Sequence, residues 1–262
     1  MPVKTSYTQG TPSWVDLSST DPAASQAFYS GLFGWTFEAR PTDQGDDYLM
    51  ATLNGSAAAG IMQQGPEQAA MGLPSSWNTY FTVDDIAATV DGVESAGGSV
   101  MMPPMDVMEA GQMAVIVDPT GAVVCLWKAG QTIGCEIVNE SGALIWNELI
   151  TSDGPSALAF YSQLFGIGTM EQDMGTGEPY RMLVVDDVPI AGVMPPPVDG
   201  VPNHWSVYFA VDDIEVAVAK TTELGGSVFA PAFEVPGVGH MAGIADPTGA
   251  MCMLMQPPSD QG

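Results

Sequence analysis

The sequence predicts an α+β protein of two tandem domains, each built from two βαβββ modules. Three observations carry this. Residues 14–35 (WVDLSSTDPAASQAFYSGLFGW) align without a gap on residues 146–167 (WNELITSDGPSALAFYSQLFGI), with 10 of 22 positions identical. Residues 77–128 align on residues 205–256 with 24 of 52 identical, including VDDI at 83–86 and 211–214 and DPTGA at 118–122 and 246–250. Within each copy, a strand–helix–strands order occurs twice. A repeat of this length is a whole domain and not a solenoid unit. The offset between copies falls from 132 in the first block to 128 in the second, so the second copy is four residues shorter in its middle.

In the first copy, residues 13–19 alternate as a strand. Asp21-Pro22 then opens a helix, with Asp at the N-cap and Pro at the first helical position. Ala24, Ala27, Phe28 and Leu32 fall at helical spacing and Gly34 ends the run. Strands follow at 35–40, 48–53 and 57–62, separated by turn-forming Asp, Gly and Asn. The order then restarts: a strand at 77–83, a helix at 84–96 closed by Gly97-Gly98, and strands at 99–102, 113–117 and 122–127, the last two joined by the DPTG turn. The second copy repeats this at 144–151, 155–165, 180–185, 190–194, 205–211, 213–224 and through 255. The proposed domains are residues 10–129 and 143–258, joined by a linker over 130–142.

The 262 residues, 46% of them hydrophobic, suffice for two packed cores, one per domain. No apolar run approaches the ~20 residues that span a bilayer, and the start MPVKTSYTQG does not read as a signal peptide. Cys125, Cys135 and Cys252 make an odd count without CxxC spacing, which points to a reducing, cytoplasmic setting. The net charge of −26 arises because Lys4, Arg40, Lys128, Arg181 and Lys220 are the only Lys and Arg residues. Such a surface repels phosphate backbones and anionic lipid, so neither nucleic acid nor membrane is an expected partner. The sequence contains no P-loop, GxSxG elbow, GxGxxG fingerprint or HExxH motif.

AFYSGLFGW, the VDDI helix start and the DPTGA turn, in order and in both copies, resemble the vicinal oxygen chelate superfamily of glyoxalases, bleomycin-resistance proteins and extradiol dioxygenases. More narrowly, the chain resembles actinobacterial tandem-domain glyoxalase-like proteins. The resemblance implies that each pair of modules curls a mixed sheet into a cup. It also implies a divalent metal held by His or Gln on the first strand, Glu on the fourth, His on the fifth and Glu on the eighth. Carried over by distance from the shared landmarks, these positions are Trp14, Gly60, Asn78 and Cys125 in the first domain. In the second they are Trp146, Gly192, Ser206 and Met253. Neither set suits a hard divalent ion, so the expectation is no metal and no cofactor.

If that register holds, Asp16 and Glu148 share the cup face with Trp14 and Trp146, among Tyr80, Tyr208 and Met side chains. A carboxyl in apolar surroundings can act as a general acid or base near neutral pH; the alternative is a hydrogen bond to a neighbouring strand or helix end. His240, which replaces Gln112 of the first copy, is a second acid/base candidate if its ring points inward. Tyr48 and Tyr180 match across the copies. Arg181 either holds a substrate carboxylate or neutralises nearby Asp186 or Glu178. Cys125 is a nucleophile only if its thiol is activated. His204 opens a strand after a Pro-rich loop and is expected at the surface.

The reading is therefore a monomer or weak homodimer whose cups bind a small, largely apolar metabolite or natural product. Glu148, His240 and Asp16 are its candidates for acid/base chemistry such as isomerisation, cyclisation or dehydration. The alternatives are a non-catalytic drug or metabolite binder, and a metal-dependent lyase or dioxygenase with unconventional ligands.

Overall fold

The structure is a computed structural model describing residues 3–42, 45–173 and 179–258. The first half contains β1 (Pro12–Ser19), α1 (Pro22–Phe33), β2 (Thr36–Pro41), β3 (Asp47–Leu53), β4 (Ser56–Gln63), α2 (Pro66–Ala70), β5 (Ser76–Thr82), α3 (Ile86–Val93), β6 (Ser99–Val107), β7 (Gly111–Val117) and β8 (Val123–Ala129). The second contains β9 (Leu144–Ile150), α4 (Gly154–Phe165), β10 (Gly168–Gln172), β11 (Tyr180–Val185), β12 (Val188–Met194), β13 (His204–Ala210), α5 (Ile214–Glu223), β14 (Ser227–Val235), β15 (Gly239–Ala245) and β16 (Met251–Gln256). Each half forms one eight-stranded mixed sheet, ordered β2-β3-β4-β1-β5-β8-β7-β6 and β10-β11-β12-β9-β13-β16-β15-β14. The α+β class and the doubled βαβββ plan stand as read.

Local chemistry starts and stops the helices. Asp21 and Asp153 accept from the backbone N–H three residues on, Pro follows within the first turn, and Gly34 and Gly166 close each helix in the left-handed region. Asp85 and Asp213 cap α3 and α5 in the same way, both shorter than the sequence suggested. The four-residue difference between copies falls between β4 and β5, where the first half inserts α2 and the second has an irregular Pro-rich segment. The sequence reading omitted β10, whose residues are all exposed and carry no burial pattern.

The expected two separate cores are corrected. There are two, but each is built from both halves. One joins Phe33, Trp35 and Trp77 to Phe209, Ile214 and Leu254; the other joins Phe81, Ile86 and Ile116 to Tyr161, Phe165 and Trp205. Phe209 lies 5.1 Å from the rings of both Phe33 and Trp77. Helix α1 packs on α5 and α3 on α4. The DPTG turns lock the exchange. Asp118 accepts from its own turn and from the Tyr161 hydroxyl at 3.0 Å, while Asp246 accepts from Ser25 Oγ at 2.8 Å. The segment between the sheets is also anchored: Cys135 is buried, its N–H donates to the Ser13 carbonyl, and Glu136 accepts from Ala57 N–H. All three cysteines are free and buried. No described helix is long and apolar enough to cross a membrane.

Candidate functional site

Because the helices cover one face of each sheet, the other face forms a cup. Directly paired residues of neighbouring strands share a face. Asp16 pairs with Gly60 on β4 and Asn78 on β5, and Tyr80 pairs with Trp14 on β1 and Cys125 on β8. In the second sheet, Glu148 pairs with Gly192 and Ser206, and Tyr208 with Trp146 and Met253. The carried-over positions on the first and fifth strands therefore lie two residues along from the residues directly paired with the carried-over fourth- and eighth-strand positions. The positions level with Gly60 and Cys125 are Asp16 and Tyr80, not Trp14 and Asn78. In the second half they are Glu148 and Tyr208, not Trp146 and Ser206. Trp14, Asn78, Trp146 and Ser206 face the same cup one step along their strands.

Each cup holds one buried carboxyl clamped by tyrosines. Asp16, 2% exposed, accepts from Asn78 Nδ2 at 2.8 Å on Oδ1, and from Tyr80 at 2.8 Å and Tyr48 at 3.3 Å on Oδ2. Glu148, 4% exposed, accepts from Tyr180 at 2.7 Å on Oε1 and from Tyr208 at 2.5 Å on Oε2. The indole N–H of Trp14 donates to Tyr48 at 2.9 Å, and that of Trp146 to Tyr180 at 3.1 Å. Burial pushes both carboxyls above their ordinary range, and the donated hydrogen bonds oppose that shift only in part. Burial, then the adjacent carboxyl, pushes Tyr80, Tyr208, Tyr48 and Tyr180 upward, so the phenols keep their protons.

The glycines explain how a tyrosine reaches each carboxyl. A Cβ on Gly60 would overlap the Tyr48 hydroxyl, and one on Gly192 would overlap both the Tyr180 hydroxyl and the Glu148 carboxyl. The fourth-strand position therefore supplies space for a phenol from the neighbouring strand. A divalent ion does not fit these donor sets. Asp16, Gly60, Tyr80 and Cys125, like Glu148, Gly192, Tyr208 and Met253, offer a single carboxylate that is already engaged. Among the described residues, no group of three or more His, Cys, Asp and Glu side chains is placed to hold a metal. Burial and Asp16 also raise the Cys125 thiol well above its ordinary value, which leaves it a poor nucleophile.

The other candidates fall outside the cups. His240 pairs with Glu234 and Gln256 and is exposed. Gln256 alternates with cup-facing Met255 and accepts from Ile214 N–H at the start of α5, so His240 lies on the helix face, away from Glu148. The inward-pointing ring on which His240's candidacy as an acid or base depended is therefore not what the structure has. Gln112, its counterpart, donates to Asp106 at 2.8 Å on the same outer side. Arg181 pairs with Val193 of the core and forms an ion pair with exposed Glu171 at 3.0 Å. It neutralises an acid of β10; of the acids named from sequence, Glu178 lies outside the described residues. The half-buried His204 ring faces the Pro202 carbonyl at 2.8 Å.

The two cups are unequal. In the first, Trp127 is 7% exposed, stands edge-on to Tyr80 with centroids 6.5 Å apart, and donates to the Thr132 carbonyl. Trp14 and Cys125 are also buried, in the same apolar cluster as Tyr80 and Trp127. In the second, half-buried Met255 stands in place of Trp127, Ser206 in place of Asn78, and Trp146 and Met253 are half-buried. Met241 pairs with Met255 and with Phe233, and Phe229 lies across Gly243, which pairs with Met253. These residues extend the wall of the second cup, and Phe229 and Phe233 are exposed. Sequence reading missed Trp127, Met241, Met255, Phe229 and Phe233, although the Trp127/Met255 difference was visible in the alignment of the repeats. Surface concavities of about 520 and 340 Å³ lie elsewhere, at the Pro-rich segment before β13 and beside α4, and touch neither carboxyl.

Comparison with known proteins agrees with this architecture. The chain is 47% identical over 262 residues to "Putative glyoxylase CFP32" of Mycobacterium tuberculosis, with all of both chains covered. It is 36% identical over 258 residues to "Anthracycline biosynthesis protein DnrV" of Streptomyces peucetius, covering 94% of this chain and 93% of that one. Among solved structures, the Mn(II)-bound glyoxalase of Novosphingobium aromaticivorans superposes with a TM-score of 0.65 at 13% identity, covering 95% of this chain and 82% of the other. The 2,3-dioxygenase LapB of Pseudomonas sp. KL28 superposes with a TM-score of 0.64 at 15% identity, covering 96% and 95%. At these identities the two structures share the fold. The profile of the Glyoxalase/Bleomycin resistance protein/Dioxygenase superfamily matches residues 11–126 and 143–254, one match on each sheet, and the chain belongs to that superfamily.

Proposed function

We propose that the protein binds a small, largely apolar aromatic molecule in its second cup without a metal ion, and that Glu148, working through Tyr180 and Tyr208, is the proton-transfer group there. The observation that carries this is the carboxyl–tyrosine clamp, in which a phenol occupies the space left by a glycine at the fourth-strand position. A carboxyl whose burial favours the protonated form, linked to two phenols, can lend and recover a proton, the requirement of an isomerisation, cyclisation or dehydration. Wall residues of thioether and phenyl type suit a flat apolar guest. The relative named for anthracycline biosynthesis makes a polycyclic aromatic polyketide a reasonable class to try first.

Native mass spectrometry of protein taken directly from its producing cells tests the binding. The expected result is one small organic molecule per chain, and stoichiometric Zn, Mn, Ni or Fe by elemental analysis would overturn the reading. A second reading, a binder that does no chemistry, is favoured by one observation: both Glu148 oxygens are already occupied by phenols. Recovery of the guest unaltered after prolonged incubation would decide for it.

A further inference from the structure

Hydrogen atoms can be counted at Glu148. The Tyr180 hydroxyl accepts from Trp146 and donates to Oε1, so its single proton is committed. The Tyr208 hydroxyl has one hydrogen-bond partner among the described residues, Glu148 Oε2. When Glu148 is ionised, it takes the protons of both phenols. When Oε2 carries a proton, that O–H donates to the Tyr208 oxygen, and the phenolic proton turns toward the cup. Nothing charged competes for it. Tyr180 from β11 and Tyr208 from β13 are the titratable groups facing Glu148, while β12 and β16 present Gly192 and Met253. Ser206 stands where Asn78 supplies an extra donor to Asp16 in the first cup.

A neutral hydroxyl donor without a nearby cation selects a neutral acceptor over an anion. Around it, Met241, Met253 and Met255 form a thioether wall flanked by Phe229 and Phe233. Unbranched methionines reshape readily, and Met253, paired with Tyr208 and half-buried, is the side chain a guest would displace to reach that hydroxyl. We propose that the second cup takes a planar aromatic ketone or quinone, its carbonyl oxygen accepting from Tyr208, and that a proton on Glu148 frees this hydroxyl for the task. This deepens the binding reading above and rests on it.

Anthraquinone and anthracene, matched in shape and differing in their carbonyls, serve as probes, with binding followed by quenching of tryptophan fluorescence. The wild-type protein should prefer anthraquinone by roughly tenfold, the value of one net hydrogen bond. Y208F should abolish the preference. Raising the pH through the titration of Glu148 should abolish it too, because the carboxylate reclaims the phenolic proton. E148Q should keep the preference at every pH, since its amide N–H₂ holds the Tyr208 oxygen permanently. Equal affinities in the wild type, a preference that survives in Y208F, or one that still falls with pH in E148Q would overturn the carbonyl assignment while leaving the binding reading intact. Failure of both probes to bind would remove both.

Discussion

At the residue scale, the site depends on side-chain volume as much as on charge. Gly192 leaves room for a phenol, so G192A forces the Tyr180 hydroxyl and the Glu148 carboxyl apart. We expect it to lower stability by about 1–3 kcal/mol, the range for overpacking a closed site, as read by urea denaturation; G34A meets no atom within 4 Å of its added Cβ and should cost about 1–2 kcal/mol for a different reason, the strain of an Ala in the left-handed region. The carboxyls also leave a signature in pH. Both have folded-state values raised above the ordinary 3.8 of Asp16 and 4.5 of Glu148, so the folded protein binds protons that the unfolded chain has released. Their contribution is full below those ordinary values and is lost as pH rises through the folded ones. The urea midpoint of the wild type should fall over that interval relative to a D16N/E148Q variant; matching slopes for the two proteins would show that the carboxyls ionise normally. The carboxyls and tyrosines were legible in the sequence because they recur in both copies. The isolated substitutions, His240 and Arg181, could not be assigned a face, because a strand's alternation determines which face a side chain takes and its starting register is not written in the residue itself.

At the element scale, the caps and turns act across the molecule. Asp118 closes its turn through Thr120 and Ala122 and also receives the Tyr161 hydroxyl of α4, which in turn accepts from Trp205 Nε1 at 2.9 Å. Y161F should therefore cost about 1–3 kcal/mol, because it leaves a buried carboxylate oxygen and an indole N–H without their partner. An unchanged thermal midpoint would remove this link. Helix starts, from Asp21-Pro22 and Asp153 through Pro155, could be read locally since capping involves neighbours in sequence. The exposed strand β10 and the five-residue helix α2 could not, because neither carries a buried stripe. The true lengths of α3 and α5 were overestimated because the VDDI motif contributes its second Asp as the cap and its Ile as the first helical residue.

At the scale of the whole molecule, the halves are not independent. Each core takes helices and strands from both, so residues 1–142 produced alone would expose the faces of α1 and β5 that Phe209, Ile214 and Leu254 cover. We expect that fragment to aggregate or remain unfolded, and the full chain to unfold in one transition by both circular dichroism and fluorescence. Two separated transitions would refute the interleaving. The exchange also accounts for the unequal cups. With both copies needed to complete the cores, the first cup can carry a buried Trp127 without loss of the fold, while the second has the half-buried Met255 at that position.

The sequence by itself determined the repeat, the order of strands and helices, the helix caps, the family resemblance and the poverty of metal ligands, since each depends on residue type and near spacing. Only the tertiary structure decided that Asp16 and Glu148 lie directly beside Gly60 and Gly192, that glycine there admits a tyrosine, and that each core is shared. Those facts depend on which strands lie side by side and in what register, and such pairings join residues far apart in the chain.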